Sequence, residues 1–372
     1  MADILTTPAV LDTDLIGDVQ HNCDISDARD HGIYSLCTMV LKLRNLYKWE
    51  MGLQPWEEPG SAILLDWIET KENYWQTIAE ETFRPLMVAG RRVAPLDLEE
   101  VNATLNGTLV YGAGYGRSMK TIFFLAEKLE QRTIEGCPAV ILGTEQAREM
   151  ASPFAMVQDG LIILRKQALR TFLWDQVQEM RASCKVSLRL ALKSHGLLKG
   201  GAVDQELFKQ SLDAIVEQEM DLFLYHEVGE LLQGERLSES LRRLIAHFPG
   251  SILELVGRAV KDILADTHPS GPLAYIIEQQ RPSTLGFYLT FFDSLREKLF
   301  PEIRPAGLRF AAKGDWLPIE QARNACWLRT QELARRIEEC AAMIGEKSDN
   351  AIVEYFNSQV LTPLGLDAAK TA

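Results

Sequence analysis

DQELFKQSLDAIVEQEMDLFLYHEVGELLQ, residues 204–233, is apolar on several faces at helical spacing, with Met220, Leu224 and Leu231 opposite Leu207, Tyr225 and Leu232. A helix that is apolar most of the way round has to be surrounded, so this segment reads as the central helix of a bundle. Stepping about 100° per residue from Phe208 brings Leu212, Ile215, Glu219, Leu222, Phe223, His226 and Glu230 within roughly 60° of one line. The stripe is apolar through Ile215 and then turns ionisable. A buried, ionised carboxylate is costly unless it is paired or binds a metal, so Glu219, His226 and Glu230 require partners.

Two kinds of partner are available. Asp262 and Asp266, near the end of a helix expected over Ser251–Thr267, complete a metal-ligand set with Glu219, His226 and Glu230, and His247 and His268 lie near the ends of that region. Carboxylate and imidazole together suit Fe, Mn or Zn better than Ca or Mg. The matching chemistry is metal-assisted hydrolysis or oxidation, with Glu227 or Tyr225 exchanging protons, the substrate unidentified by the sequence and a small-molecule ligand one candidate partner. The Glu-x-x-His pair of di-metal bundles is absent, since Phe223 stands three residues before His226. The alternative is an inert ion-pair network with Arg242, Arg243 or Arg258, assisted by the Tyr225 hydroxyl, and this is the commoner fate of such a stripe.

Outward from this helix the chain divides into three stretches. Residues 166–372 read as a helical bundle, interrupted at Lys199-Gly200-Gly201, Gly234, Pro249-Gly250, Pro269-Ser270-Gly271 and Pro282, with Pro301–Asp315 as the longest expected loop. In 318–344 the apolar spacing places Cys326 and Cys340 on a core seam. Residues 84–165 carry short β-type runs at 85–88, 108–111, 139–142 and 161–164. Helices are expected between them, from the Asp97/Glu100 capping box through Leu105 and over Ser118–Arg132. Residues 1–83 form an acidic, Trp-rich helical region, with one helix from Ser26 to Met51 and a second from about Ile63 to Glu81. The fold class is mainly α, with a small α+β unit between two helical parts.

A glycine-rich loop marks the α+β stretch. Gly112, Gly114 and Gly116 follow an expected strand, and Arg117 and Lys120 stand where they can add charge to an anion held at a helix N-terminus. The spacing is GxGxG and not GxGxxG, Met119 replaces the glycine that precedes a Walker lysine, and Glu145 is the nearest candidate for a ribose ligand. A structural turn explains the glycines as well.

Composition limits the rest. The 372 residues carry a net charge of −13, which argues against a nucleic-acid partner. Residues 1–83 hold fifteen acidic against five basic residues and four of the seven tryptophans, Trp49, Trp56, Trp67 and Trp75. Acids interleaved with aromatics suit a basic protein partner if the rings are accessible, making a non-enzymatic interaction or scaffold protein the second reading of function. The N-terminus lacks the pattern of a secretion signal, and no apolar run approaches the ~18 residues of a membrane span, so a cytoplasmic protein is expected. Cys23, Cys37, Cys137, Cys184, Cys326 and Cys340 show no CxxC spacing and read as buried thiols. His21, Cys23, Asp24, Asp27, His31 and Cys37 mix metal-ligand types at irregular spacing, and the helix-start role of Asp24 and Asp27 accounts for them.

Overall fold

The computed structural model describes residues 13–116, 119–179 and 185–366. The architecture is mainly α with a small α+β part, and the chain packs as two compact units. The first comprises residues up to Gln131 together with Val140–Phe154 and Arg165–Thr171; the remainder makes the second. The division expected after residue 83 falls inside the first unit.

In the first unit, α1 (Thr13–Asp30) runs into a short 3-10 turn, His31–Ile33, and α2 (Leu36–Glu50) follows. The single helix expected over Ser26–Met51 is therefore two helices. Gly32 weakens the run, and the Ser35 hydroxyl accepts from the Thr38 N–H to open a new helix. Next come α3 (Ser61–Ile78), the hairpin β1 (Leu86–Val88) and β2 (Arg91–Val93), and α4 (Leu98–Thr104), capped by the Asp97 carboxylate on the Glu100 N–H. Leu15, Val19 and Cys23 of α1 pack on Val88, Val101, Tyr111, Phe123 and Leu125 in one core; Ile25, Leu43, Leu46, Trp75 and Ile78 fill a second.

β3 (Leu109–Tyr115), β4 (Thr121–Ile134), β5 (Cys137–Arg148), β6 (Ala155–Gln158) and β7 (Leu161–Arg165) make a five-stranded sheet in the order β3-β4-β5-β7-β6. β4 replaces the helix expected over Ser118–Arg132. The β-branched and aromatic start, Thr121-Ile122-Phe123-Phe124, pairs antiparallel with β3 from Tyr115↔Thr121 to Leu109↔Glu127 and buries Phe123 and Phe124 on opposite faces. Ladder pairing and burial override the helix propensity of Ala126–Gln131. Glu135 and Gly136, both at positive φ (50° and 81°), close the turn into β5.

α5 (Lys166–Gln178) begins in the first unit and ends in the second, where α6 (Lys185–Ser194) and the small hairpin β8 (Leu198–Lys199) and β9 (Ala202–Val203) follow. α7 (Gln205–Leu232) starts at Asp204, whose carboxylate accepts from the Leu207 N–H, and is the longest helix described. Around it come α8 (Glu235–His247), α9 (Ile252–Thr267), α10 (Pro272–Glu278), α11 (Pro282–Thr290), α12 (Ser294–Leu299), α13 (Ile303–Lys313), α14 (Leu317–Ala342) and α15 (Asp349–Phe356). α13 occupies the expected loop of Pro301–Asp315. Pro305 sits in its first turn, where an absent N–H costs nothing, and Gly314 ends it in the left-handed conformation at φ 70°. Cys326 and Cys340 are fully buried on α14, and Cys23 and Cys137 are buried too. Cys37 is exposed, contrary to the buried thiol expected, and Cys184 lies outside the described residues. Among the described residues no helix is long and apolar enough to cross a membrane.

Candidate metal centre

α7 and α9 approach so closely that a Cβ on Gly229 would lie 2.3 Å from the Ala265 carbonyl oxygen. Gly229 sits between His226 and Glu230, and Ala265 between Asp262 and Asp266. Backbone contact thus sets the two ionisable pairs face to face. One ligand atom from each of His226, Glu230 and Asp262 falls within 4.8 Å of the others, the spacing a single metal ion requires. His226 Nδ1 is hydrogen-bonded to Asp266 Oδ1 at 2.7 Å, and the buried Tyr288 hydroxyl donates to Asp266 Oδ2 at 3.2 Å. His226 Nε2 then faces Glu230 Oε1 at 3.7 Å. A carboxylate behind a histidine, itself held by a further hydrogen bond, is how proteins aim an imidazole at a metal.

Two cations flank the set. Lys261 Nζ lies 2.6 Å from Glu230 Oε2, and Arg296 Nη2, from α12, lies 2.6 Å from Asp262 Oδ2. Burial disfavours the His226 imidazolium, but the hydrogen bond and charge of Asp266, with help from Glu230, hold its pKa well above the usual range. Burial followed by the charge of Glu230 raises the Glu227 carboxyl, whereas Glu230, despite its burial, is held low by His226 and Lys261. Burial also raises Asp262, against the pull of Arg296. Three acids, Glu230, Asp262 and Asp266, thus stand against three bases, His226, Lys261 and Arg296.

Of the stripe read from sequence, His226 and Glu230 join Asp262 and Asp266. Glu219 does not. It lies two turns earlier on α7, fully buried, and its Oε1 meets His195 Nε2 at 2.8 Å while Oε2 has no hydrogen-bond partner. The arginines expected to neutralise the stripe are elsewhere. Arg242 and Arg243 are exposed, and Arg258 pairs with Glu254 at 2.9 Å. Tyr225 stacks on Tyr275 at 4.2 Å, His247 pairs with Asp349, and His268 accepts from the Ser270 N–H. Lys261 and Arg296 escaped the sequence reading, although Lys261 precedes Asp262 directly.

The glycine loop has a packing explanation. It joins the antiparallel strands β3 and β4, and among the described residues the segment from Thr121 is a strand and not the helix expected to hold an anion. Lys120 is buried on Asp27 at 2.9 Å and on the Ser26 hydroxyl at 3.0 Å; Arg117 lies outside the described residues. The Phe124 ring lies across Gly112, where a Cβ would come within 2.0 Å of it; at Gly116 a Cβ would meet Ile122 at 2.6 Å, and Gly114 has open space. Gly112→Ala is expected to destabilise the first unit by about 1–3 kcal/mol through overpacking. An unchanged urea midpoint would show that the ring swings aside freely.

Beside that loop the first unit holds a buried ionic network that sequence reading did not assemble. Arg165, fully buried, donates to Glu145 Oε1 at 2.5 Å and Glu149 Oε1 at 3.1 Å, and stands 4.5 Å over the Phe124 ring. Arg148 holds Glu145 Oε2 at 3.0 Å. Burial opposes the Glu145 charge, yet Arg165 and Arg148 keep its carboxyl below the usual range; Asp27 is pushed up to about 6 by burial in spite of Lys120. Glu145, the candidate ribose ligand, is thus taken. The aromatic N-terminal region serves the chain's own cations: Arg148 lies over Trp49, Arg170 over Trp56 and Lys71 over Trp67. His21 bridges Tyr74 and Glu81, Asp24 pairs with Lys71 at 2.9 Å, and His31 stacks on Trp75, so those residues do not gather as metal ligands.

The fold and this site define a mainly helical two-unit protein with a one-histidine, two-carboxylate cluster in its C-terminal bundle. Residues 14–165 match the N-terminal domain, and residues 170–359 the C-terminal domain, of a family of unknown function, DUF6866, and the chain belongs to that family. No curated protein and no solved structure matches it.

Proposed function

We propose that the protein binds a divalent transition metal, Mn, Fe or Zn, through His226, Glu230 and Asp262, as the centre of a metal-dependent hydrolase or oxidase. The observation that carries this reading is the convergence of the three donors within 4.8 Å, with His226 fixed from behind by Asp266. A nitrogen donor beside carboxylates favours a transition ion over Ca or Mg. Elemental analysis of the chain, purified without a metal-affinity tag, is expected to find one such ion near stoichiometry. Substoichiometric amounts of every transition metal, with no uptake on titration, would leave the cluster an ion-pair network.

The charge balance adds a pH signature. An ion carrying two charges replaces two protons, one on His226 and one on Glu227, without changing the net charge of the centre. The metal-free fold holds more protons than the unfolded chain at both groups, because both values are raised. Above about pH 6.5 its stability should therefore fall as pH rises, by about 1.4 kcal/mol per pH unit for each proton involved. Metal affinity should rise over the same window. Urea unfolding at pH 6.5 and 8.5, with chelator and with Zn²⁺, checks both, and parallel pH trends with and without metal would contradict the exchange.

A further inference from the structure

We infer that the solvent side of this centre takes an oxyanion, a phosphoryl or carboxylate group held jointly by the metal and by Lys261 and Arg296. The inference rests on the metal reading above and names the class of ligand that it serves. Three protein donors leave a metal with at least one open position, which water or substrate fills. Lys261 and Arg296 approach from different helices, each 2.6 Å from a carboxylate of the ligand set. A site that only retained a cation would lose affinity to two more positive charges at that range. They are useful where the incoming group is negative, and the arginine fork matches an oxyanion in two hydrogen bonds.

Exposure gives the direction of entry. The side chains of Lys261 and Arg296 are 24% and 26% exposed, and His226 and Asp262 are comparable, while Asp266 is 3% exposed. The centre has a closed wall at Asp266 and Tyr288 and an open rim at the two cations. An anion entering from solvent therefore meets the Lys261 and Arg296 side chains first.

The test uses the full chain loaded with Mn²⁺, whose bound waters enhance the relaxation of solvent protons. Inorganic phosphate and acetate are titrated separately. A fall in enhancement with phosphate identifies a phosphoryl ligand, and a fall with acetate alone a carboxylate; either supports the inference. Lys261→Gln and Arg296→Gln are each expected to weaken the anion about tenfold or more, as loss of a charged hydrogen bond does. They should leave Mn²⁺ binding equal or tighter, whereas a merely loosened fold would weaken both. Bound Mn²⁺ with neither anion changing the signal, or both variants binding the anion like the wild type, would overturn the inference. Absence of any Mn²⁺ signal would defeat the metal reading, and this one with it.

Discussion

A His226→Ala variant is expected to bind Mn²⁺ or Zn²⁺ at least about a hundredfold more weakly than the wild-type chain, because it removes the nitrogen donor outright. Asp266→Asn, which leaves the donor but loosens its aim, should cost about tenfold to a hundredfold, the usual effect of a group supporting a ligand. In unfolding experiments, saturating metal at about a thousand times its dissociation constant adds about 4 kcal/mol to the native state. The wild type should show that gain and His226→Ala should lose it. The metal-free variant should also be less stable, since Asp266 and Glu230 lose the cation between them. The comparison separates two readings. A purely structural network predicts the second effect without the first, so an identical response to metal in both chains would sink the proposal.

Arg165→Leu is expected to destabilise the first unit by about 3–5 kcal/mol, the range for removing one partner of a buried ion pair. Arg165 and Glu145 are fully buried, and the substitution leaves Glu145 with Arg148 alone and Glu149 without its guanidinium. Glu149 Oε2 already lacks a hydrogen bond, and the substitution leaves Oε1 with the Ser152 N–H in place of a guanidinium. Trp49, Trp56, Trp67 and Trp75 lie in this unit, and tryptophan emission during urea unfolding reports on it. Adding Glu145→Gln and Glu149→Gln should recover part of the loss by removing the stranded charges. No recovery would mean that the arginine acts through its stacking on Phe124 and not through its charge.

The central helix was legible because thirty residues of unbroken periodicity leave few alternatives, and the polar stripe on it was legible for the same reason. What the stripe touches was not. Glu219 and His226 lie on one helical line, yet the first meets His195 and the second Asp266, because a line on one helix says nothing of which neighbours cross it at each turn. Lys261 and Arg296 were missed for a related reason, since long cations beside acids usually point to water. Strand β4 was misread where Ala126–Gln131 carries helix-forming residues; pairing with β3, 6 to 18 positions away from Tyr115↔Thr121 to Leu109↔Glu127, and with β5 on its other side is invisible to local propensity and decided it. The Arg165 network joins positions from 145 to 165, and no periodic pattern relates them.

The near contact of Gly229 with Ala265 has a consequence for the ion preference of the proposed metal site. Donor-to-donor spacing across two helices is fixed there by backbone meeting backbone, and backbone does not rotate out of the way as a side chain does. In the proposed metal site the opening would therefore be gauged to ionic radius. Zn binds its nitrogen and oxygen donors at about 2.0–2.2 Å, whereas Ca takes more oxygens at about 2.3–2.6 Å. In the proposed site a methyl group on Gly229 would wedge α7 from α9 and widen the gap between His226 and Asp262, keeping every donor side chain while shifting preference toward larger ions. Discrimination by size in the proposed site would thus reside in a residue that touches no metal and carries no side chain at all.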